Sequence, residues 1–117
     1  MTDSPAATDG GWLVSGDRVL ASLEIAESWR DRSQGLLGRD GIEGALLLRP
    51  ARSVHTFRMR FPIDVAHLDA DLTVLRITTM VPNRLGRVVW KARSILECEA
   101  GCLASWGIEV GDRFEIR

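Results

Sequence analysis

Five residues between positions 39 and 64 carry most of the chemistry this 117-residue chain could offer: Arg39, His55, Arg58, Arg60 and Asp64. His55 opens the run His-Thr-Phe-Arg-Met-Arg-Phe61. An imidazole with an unperturbed pKa of about 6.5 exchanges protons near neutrality, and Asp64, two residues past Pro62, is the carboxylate that would hold its tautomer. Arg58 and Arg60 are two apart, so an extended chain sends both guanidinium groups to one side, where with Arg39 they would clamp a carboxylate or phosphate. Residues 28–60 hold seven arginines against the three acids Asp31, Asp40 and Glu43, a local excess that attracts anions if the groups converge. Each residue also has a plainer role. His55 would share a strand face with Phe57, Met59 and Phe61 as a hydrogen-bonded, half-buried side chain. Arg58 and Arg60 would form a solvated face, and Asp64 would pair with Arg60.

Other chemistries find less footing. Possible metal ligands are His55, His67, Asp64, Asp69, Asp71, Cys98 and Cys102, but none of them has the tight spacing of a zinc site. Asp69-Ala-Asp71 suits a hairpin turn better than a calcium loop. No metal and no cofactor are expected. Cys98 reads as a buried thiol and Cys102, near a possible helix start, as a more acidic one. Two cysteines four apart are too few for a disulfide framework and fit a reducing compartment. Trp90 and Lys91 lie among Arg84, Arg87 and Arg93, a short basic strip. With 15 basic against 16 acidic residues overall, no domain-wide footprint for nucleic acid or an anionic membrane exists. No apolar run approaches the roughly 20 residues that cross a bilayer. Met1–Gly11 is small and polar, without the basic start and apolar middle of an export signal, and reads as a flexible tail on a cytoplasmic protein.

The elements that must position these residues are mostly strands. Trp12–Val14 and Val19–Ile25 flank the turn residues Ser15-Gly-Asp17. Ser28 starts a short helix with capping-box spacing that carries Leu36 and Leu37 and stops at Gly38. Ala45–Leu48 is a short apolar run of the kind a buried strand shows. The alternation from His55 to Phe61 predicts a strand, broken at Pro62. Ile63–Leu68 and Leu72–Val81 form a hairpin through Asp69-Ala-Asp71. In Ser94–Ala100, Leu96 and Cys98 face inward if Glu97 and Glu99 face water. Cys102–Trp106 forms one helical turn before a last strand over Arg113–Arg117. Many short strands with two helical patches predict a mainly β single domain over residues 12–117, an antiparallel sandwich or barrel.

These blocks carry a family resemblance. Arg-Ser-Gln-Gly-Leu-Leu-Gly-Arg39, His-Thr-Phe-Arg-Met-Arg60, Ile-Asp-Val65, Leu-Glu97, Ala-Gly101 and Gly-Ile-Glu-Val-Gly-Asp112 follow one another in the order seen in DUF192, also called UPF0127, which the chain resembles from roughly residue 20 to the end. The resemblance implies a compact β domain and no established activity. Members of that family usually carry Trp at the position of Arg58, so an aromatic surface there does not transfer.

The expected function is therefore noncatalytic binding of a small polar or anionic ligand, or of a partner segment, beside the 55–64 stretch. The alternative is a small hydrolase or transferase with His55 as acid or base and Asp64 orienting it. Oligomeric state is not legible in these residues.

Overall fold

The computed structural model describes residues 8–117; residues 1–7, most of the expected tail, lie outside the described residues. Seven strands and two short helices follow the order β1 (Thr8–Ser15), β2 (Arg18–Ala26), α1 (Trp29–Gln34), β3 (Ala45–Leu48), β4 (Ile63–Leu68), β5 (Val74–Met80), β6 (Ser94–Glu99), α2 (Cys102–Ser105) and β7 (Glu115–Ile116). β1 takes in Thr8–Gly11, which composition had assigned to the tail.

The strands form one sheet in the order β5-β4-β6-β3-β2-β1-β7. All neighbours are antiparallel except β2 and β3, which run parallel with Glu24 opposite Leu46 and Ala26 opposite Leu48. At its far ends the sheet rolls up. Thr73 bridges Arg113, the Val74 N–H donates to the Asp112 carbonyl, and the Phe114 N–H donates to Leu72. The mainly β single domain expected from the sequence as an antiparallel sandwich or barrel is thus the fold, with the β2–β3 pair parallel.

Alternation along the strands separates two cores. Leu13, Leu23, Leu47, Leu68, Leu96 and Phe114 fill the inside of the rolled sheet, closed by Leu103 of α2. Leu46, Leu48, Ile63, Val65 and Ile95 point outward, yet are covered by Leu36 after α1 and by Met59 and Phe61. β3 is buried on both faces, which is why it reads as an uninterrupted apolar run. Each such aliphatic side chain contributes roughly 1.5–3 kcal/mol on burial. Gly44 lets β3 start: it has φ 77°, and a Cβ there would strike the carbonyl and hydroxyl of Ser22 on the parallel neighbour.

Local signals are obeyed where they are strongest. Ser28 caps α1 by accepting the Asp31 N–H at 3.0 Å, as its spacing predicts. The helix is shorter than expected, because Gly35 takes φ 48° and Leu36 and Leu37 leave it in turns. In the β4–β5 turn, Asp69 Oδ1 accepts the N–H groups of Asp71 and Thr73, both at 2.9 Å.

The expected strand over 55–61 does not exist. His55 makes an isolated bridge to Leu85, and the chain then turns, with Arg58 at φ 64°. Thr56, expected on the solvent side with Arg58 and Arg60, is fully buried. Its hydroxyl donates to the Val81 carbonyl at 2.7 Å and accepts the Arg84 N–H at 2.9 Å, while its carbonyl takes the N–H groups of Met59 and Asn83. This hydrogen-bonded clip outweighs the strand preference of an alternating sequence. His55 stacks on Phe57 at 5.0 Å between ring centroids, and both are exposed, whereas Met59 and Phe61 turn into the outer core.

Candidate functional site

Where α1 and residues 50–55 lie over the outer face of the sheet they leave a cavity of about 370 Å³. Its sheet side is Leu48 of β3 and Glu97 of β6; α1 and the turn after it supply Trp29, Arg32 and Gln34, and the opposite wall supplies Arg52 and His55. Glu97 is the chemical centre of this space.

Register explains how a carboxylate comes to be there. Glu97 stands opposite Leu46 on β3 and Val65 on β4, both outer-core residues, so its side chain shares their face. The expectation that Glu97 faces water is therefore wrong. With the outer face covered, the residue is only 3% exposed. Glu99 does reach solvent, being at the end of the strand beyond that cover. Burial pushes the Glu97 carboxyl up to about 7, against the attraction of the Arg39 guanidinium, which pulls the other way. Among the described residues no hydrogen bond contributes. At neutral pH the carboxyl is poised between donor and acceptor forms.

The five residues expected to form a site are dispersed. His55 lines the cavity and accepts the Phe57 N–H on Nδ1 at 3.2 Å. Arg39 stands close enough to Glu97 to act on its charge, but its guanidinium is bound at two points to Glu24, 2.8 and 3.0 Å. Arg58 is exposed and outside the cavity; its backbone N–H is taken by Asn83 Oδ1 at 2.9 Å. Arg60 is paired with Asp40 at 2.9 Å, so the expected Arg60–Asp64 pair is replaced. The turn at Arg58 removes the shared strand face that would have joined Arg58 to Arg60. Arg49, too, has an acidic partner, Glu27. Much of the local positive excess is thus neutralised.

Asp64 belongs to the other face of the sheet. It alternates with Ile63 and Val65 and points to the inner side, opposite Cys98. Both oxygens are used: Oδ1 accepts from the Thr79 hydroxyl at 2.7 Å, and Oδ2 accepts the N–H groups of Gly101 and Leu103 at 3.0 and 3.2 Å. It fastens the start of α2 and cannot orient His55 across the sheet. Cys98 and Cys102, expected as thiols, are joined in a disulfide across the tight turn at Gly101. The ligand atoms of Asp64, Cys98 and Cys102 lie within 4.8 Å of one another, and in this arrangement each already has a protein partner.

The charges that remain open at the cavity mouth are Arg32 and Arg52. Arg32 Nη1 donates to the Glu27 carbonyl and Arg52 Nε to the Trp90 carbonyl at 3.1 Å, contacts that position a guanidinium without cancelling its charge. Glu97 is hidden in the sequence because an acid alternating with apolar residues reads as solvated. The available signal was the run Ile95-Leu-Glu-Cys98, apolar on both sides of the acid.

No helix of the described residues is long and apolar enough to cross a membrane. Residues 13–116 match the model of the DUF192 family, described as Uncharacterized ACR. A UPF0127 protein of Pyrococcus abyssi is 30% identical over 98 residues, covering 80% of this chain and 84% of that one. Among solved structures, a protein of unknown function from Novosphingobium aromaticivorans has a TM-score of 0.78 at 21% identity, covering 98% of this chain and 99% of its own. Another solved structure, described as a putative transcription regulator from Sinorhizobium meliloti 1021, also has a TM-score of 0.78, at 22% identity, covering 90% of each chain. The two structures share the fold, and the extent of the family match shows that the chain belongs to DUF192 (UPF0127), a family of uncharacterised function.

Proposed function

We propose that the cavity under α1 binds a small polar ligand, with Glu97 as the buried group that recognises it. The observation that supports this reading is a carboxyl, 3% exposed and pushed up to about 7, that has no hydrogen-bond partner among the described residues and faces an open cavity of about 370 Å³. Burial of such a group is costly unless something bonds to it, and a ligand hydroxyl or amine would. Arg32 and Arg52 at the mouth would take a ligand carboxylate or other anionic end, and the exposed Trp29 ring offers a flat apolar wall. His55 belongs to the site as a rim residue; Arg39 acts through its charge, and Arg58, Arg60 and Asp64 stand outside it.

Equilibrium titration with neutral sugars, amino acids and hydroxy acids tests the reading. At least one class should bind, and Glu97→Gln should weaken it roughly tenfold or more, the loss expected when a hydrogen bond to a charged group goes. Binding that is unchanged in Glu97→Gln, or no binding across the panel, contradicts it. A catalytic reading is favoured by one observation, the near-neutral carboxyl in a cleft, and it makes Glu97 the general acid or base with His55 as its neighbour on the rim. Turnover of ester or glycoside substrates that is lost in both Glu97→Gln and His55→Ala would establish it. A cytoplasmic location is part of the proposal. The Cys98–Cys102 pair would be reduced there, and thiol alkylation in intact cells reads its state; a blocked pair places the chain in an oxidising compartment instead.

A further inference from the structure

A second cavity, about 380 Å³, lies between the β4–β5 hairpin and residues 81–87. His55 lines the first cavity and its bridge partner Leu85 the second, so the two spaces flank the same pair of segments. Gly86 allows this close approach, since a Cβ there would meet the Val54 carbonyl. The polar wall of the second cavity is His67 on β4, Arg76 and Thr78 on β5, and Arg84 and Arg87 on the covering loop.

His67 and Arg76 are direct cross-strand partners, which puts imidazole and guanidinium on one face. His67 is 2% exposed. Its Nε2 meets the Arg87 carbonyl at 3.1 Å; a carbonyl only accepts, so the ring proton sits on Nε2, and Nδ1 is buried and makes no well-formed hydrogen bond among the described residues, although the Arg52 carbonyl is near enough to act on the ring. Arg76 Nε is also buried with no acceptor. Native proteins rarely leave two such groups side by side unless a water, an ion or a ligand completes them.

The charges agree. Four ion pairs are formed among the described residues, by Arg39, Arg49, Arg60 and Arg117; Arg76, Arg84 and Arg87 form none. Among the described residues no carboxylate lines the cavity. Burial and the Arg76 charge both hold His67 below its ordinary pKa, while the Arg87 and Arg52 carbonyls raise it less. Protonation of Nδ1 therefore awaits a negative charge beside it.

We propose that this second cavity is a phosphate-group site, in which Arg76 Nε and protonated His67 Nδ1 hold the oxyanion from the sheet and Arg84 and Arg87 close over it from the loop. Three guanidinium groups and an imidazolium exceed what one carboxylate balances and suit a phosphate dianion, free or as the end of a monoester. Met80, Val81 and Leu85, which also line the space, would meet the organic part of an ester.

The test follows both histidine rings by NMR as pH is varied, with and without inorganic phosphate, at constant ionic strength set by chloride. Phosphate should raise the His67 pKa and leave His55, on the other cavity, where it was. Arg76→Met should raise the phosphate Kd roughly tenfold or more, the effect of losing one charge-assisted contact. Near-UV circular dichroism checks that this variant keeps its fold; if it does not, the surface double variant Arg84→Ala, Arg87→Ala should show the same weakening. Phenyl phosphate binding more tightly than inorganic phosphate identifies a monoester ligand, and equal affinities identify free phosphate; both uphold the site. A His67 titration indifferent to phosphate, or a Kd unchanged in a folded variant, overturns it.

Discussion

Arg39 grips Glu24 through two hydrogen bonds, Nη1 to Oε2 at 2.8 Å and Nη2 to Oε1 at 3.0 Å, and in doing so leaves Glu97 without one. Glu24 and Glu97 stand on the same outer face, opposite Leu46 from its two sides. One guanidinium thus serves two carboxylates unequally. The bidentate partner is a strong ion pair at the edge of the cover, and the other feels only its field in a desolvated place. That inequality leaves burial to dominate at Glu97 and raise its carboxyl to about 7.

Its first consequence is a pH dependence of stability. The Glu97 carboxyl rises from an ordinary 4.5 in the unfolded chain to about 7 in the fold, so folding takes up a proton between those values. Below the lower value both states are protonated and there is no loss. As pH rises toward 7 the unfolded state ionises first and stability falls, by roughly 3 kcal/mol once pH is above the upper value. Glu97→Gln should flatten this slope and exceed the wild type above pH 8, as read from urea denaturation at pH 4.5 and 8. Parallel wild-type and variant profiles would contradict the buried carboxyl.

Asp64, by contrast, is structural. Asp64→Ala strands the buried Leu103 N–H, while the Gly101 N–H and the Thr79 hydroxyl, on exposed residues, can turn to water. A loss of about 1–3 kcal/mol follows from one buried donor left unsatisfied, with no change in the His55 titration on the far face. Chemical denaturation and histidine NMR on the same variant measure both. A shifted His55 would mean the two residues communicate after all.

The turn at Arg58 predicts a preference that a strand would not. At φ 64° a β-branched side chain is strained, so Arg58→Val should cost about 1–2 kcal/mol, while Arg58→Gly should be tolerated. In an extended segment valine would be the better residue and glycine the worse. Thermal denaturation of the two variants ranks them.

The sequence made the hairpins, the capped start of α1 and the mainly β class legible because each rests on local chemistry: Ser28 on the Asp31 amide, Asp69 on its turn, Leu23 and Ile25 on alternation. Residues 55–61 misled, because Thr56 finds its partners 25 and 28 residues away, at Val81 and Arg84. Such contacts leave no trace in a seven-residue window. Glu97 misled for a related reason. That β6 is covered on its second face depends on α1 and Met59 folding back over it, a property of topology. The candidate residues were legible by type; their grouping was set by which face of the sheet each strand turned outward.

The most direct test is the titration of the Glu97 side-chain carboxyl, followed through its carbon-13 chemical shift in the intact chain. A midpoint near 7, lowered or raised by a bound ligand, is the predicted result. A midpoint at the ordinary carboxylate value of 4.5 would show a solvated side chain, and the cavity would lose its centre.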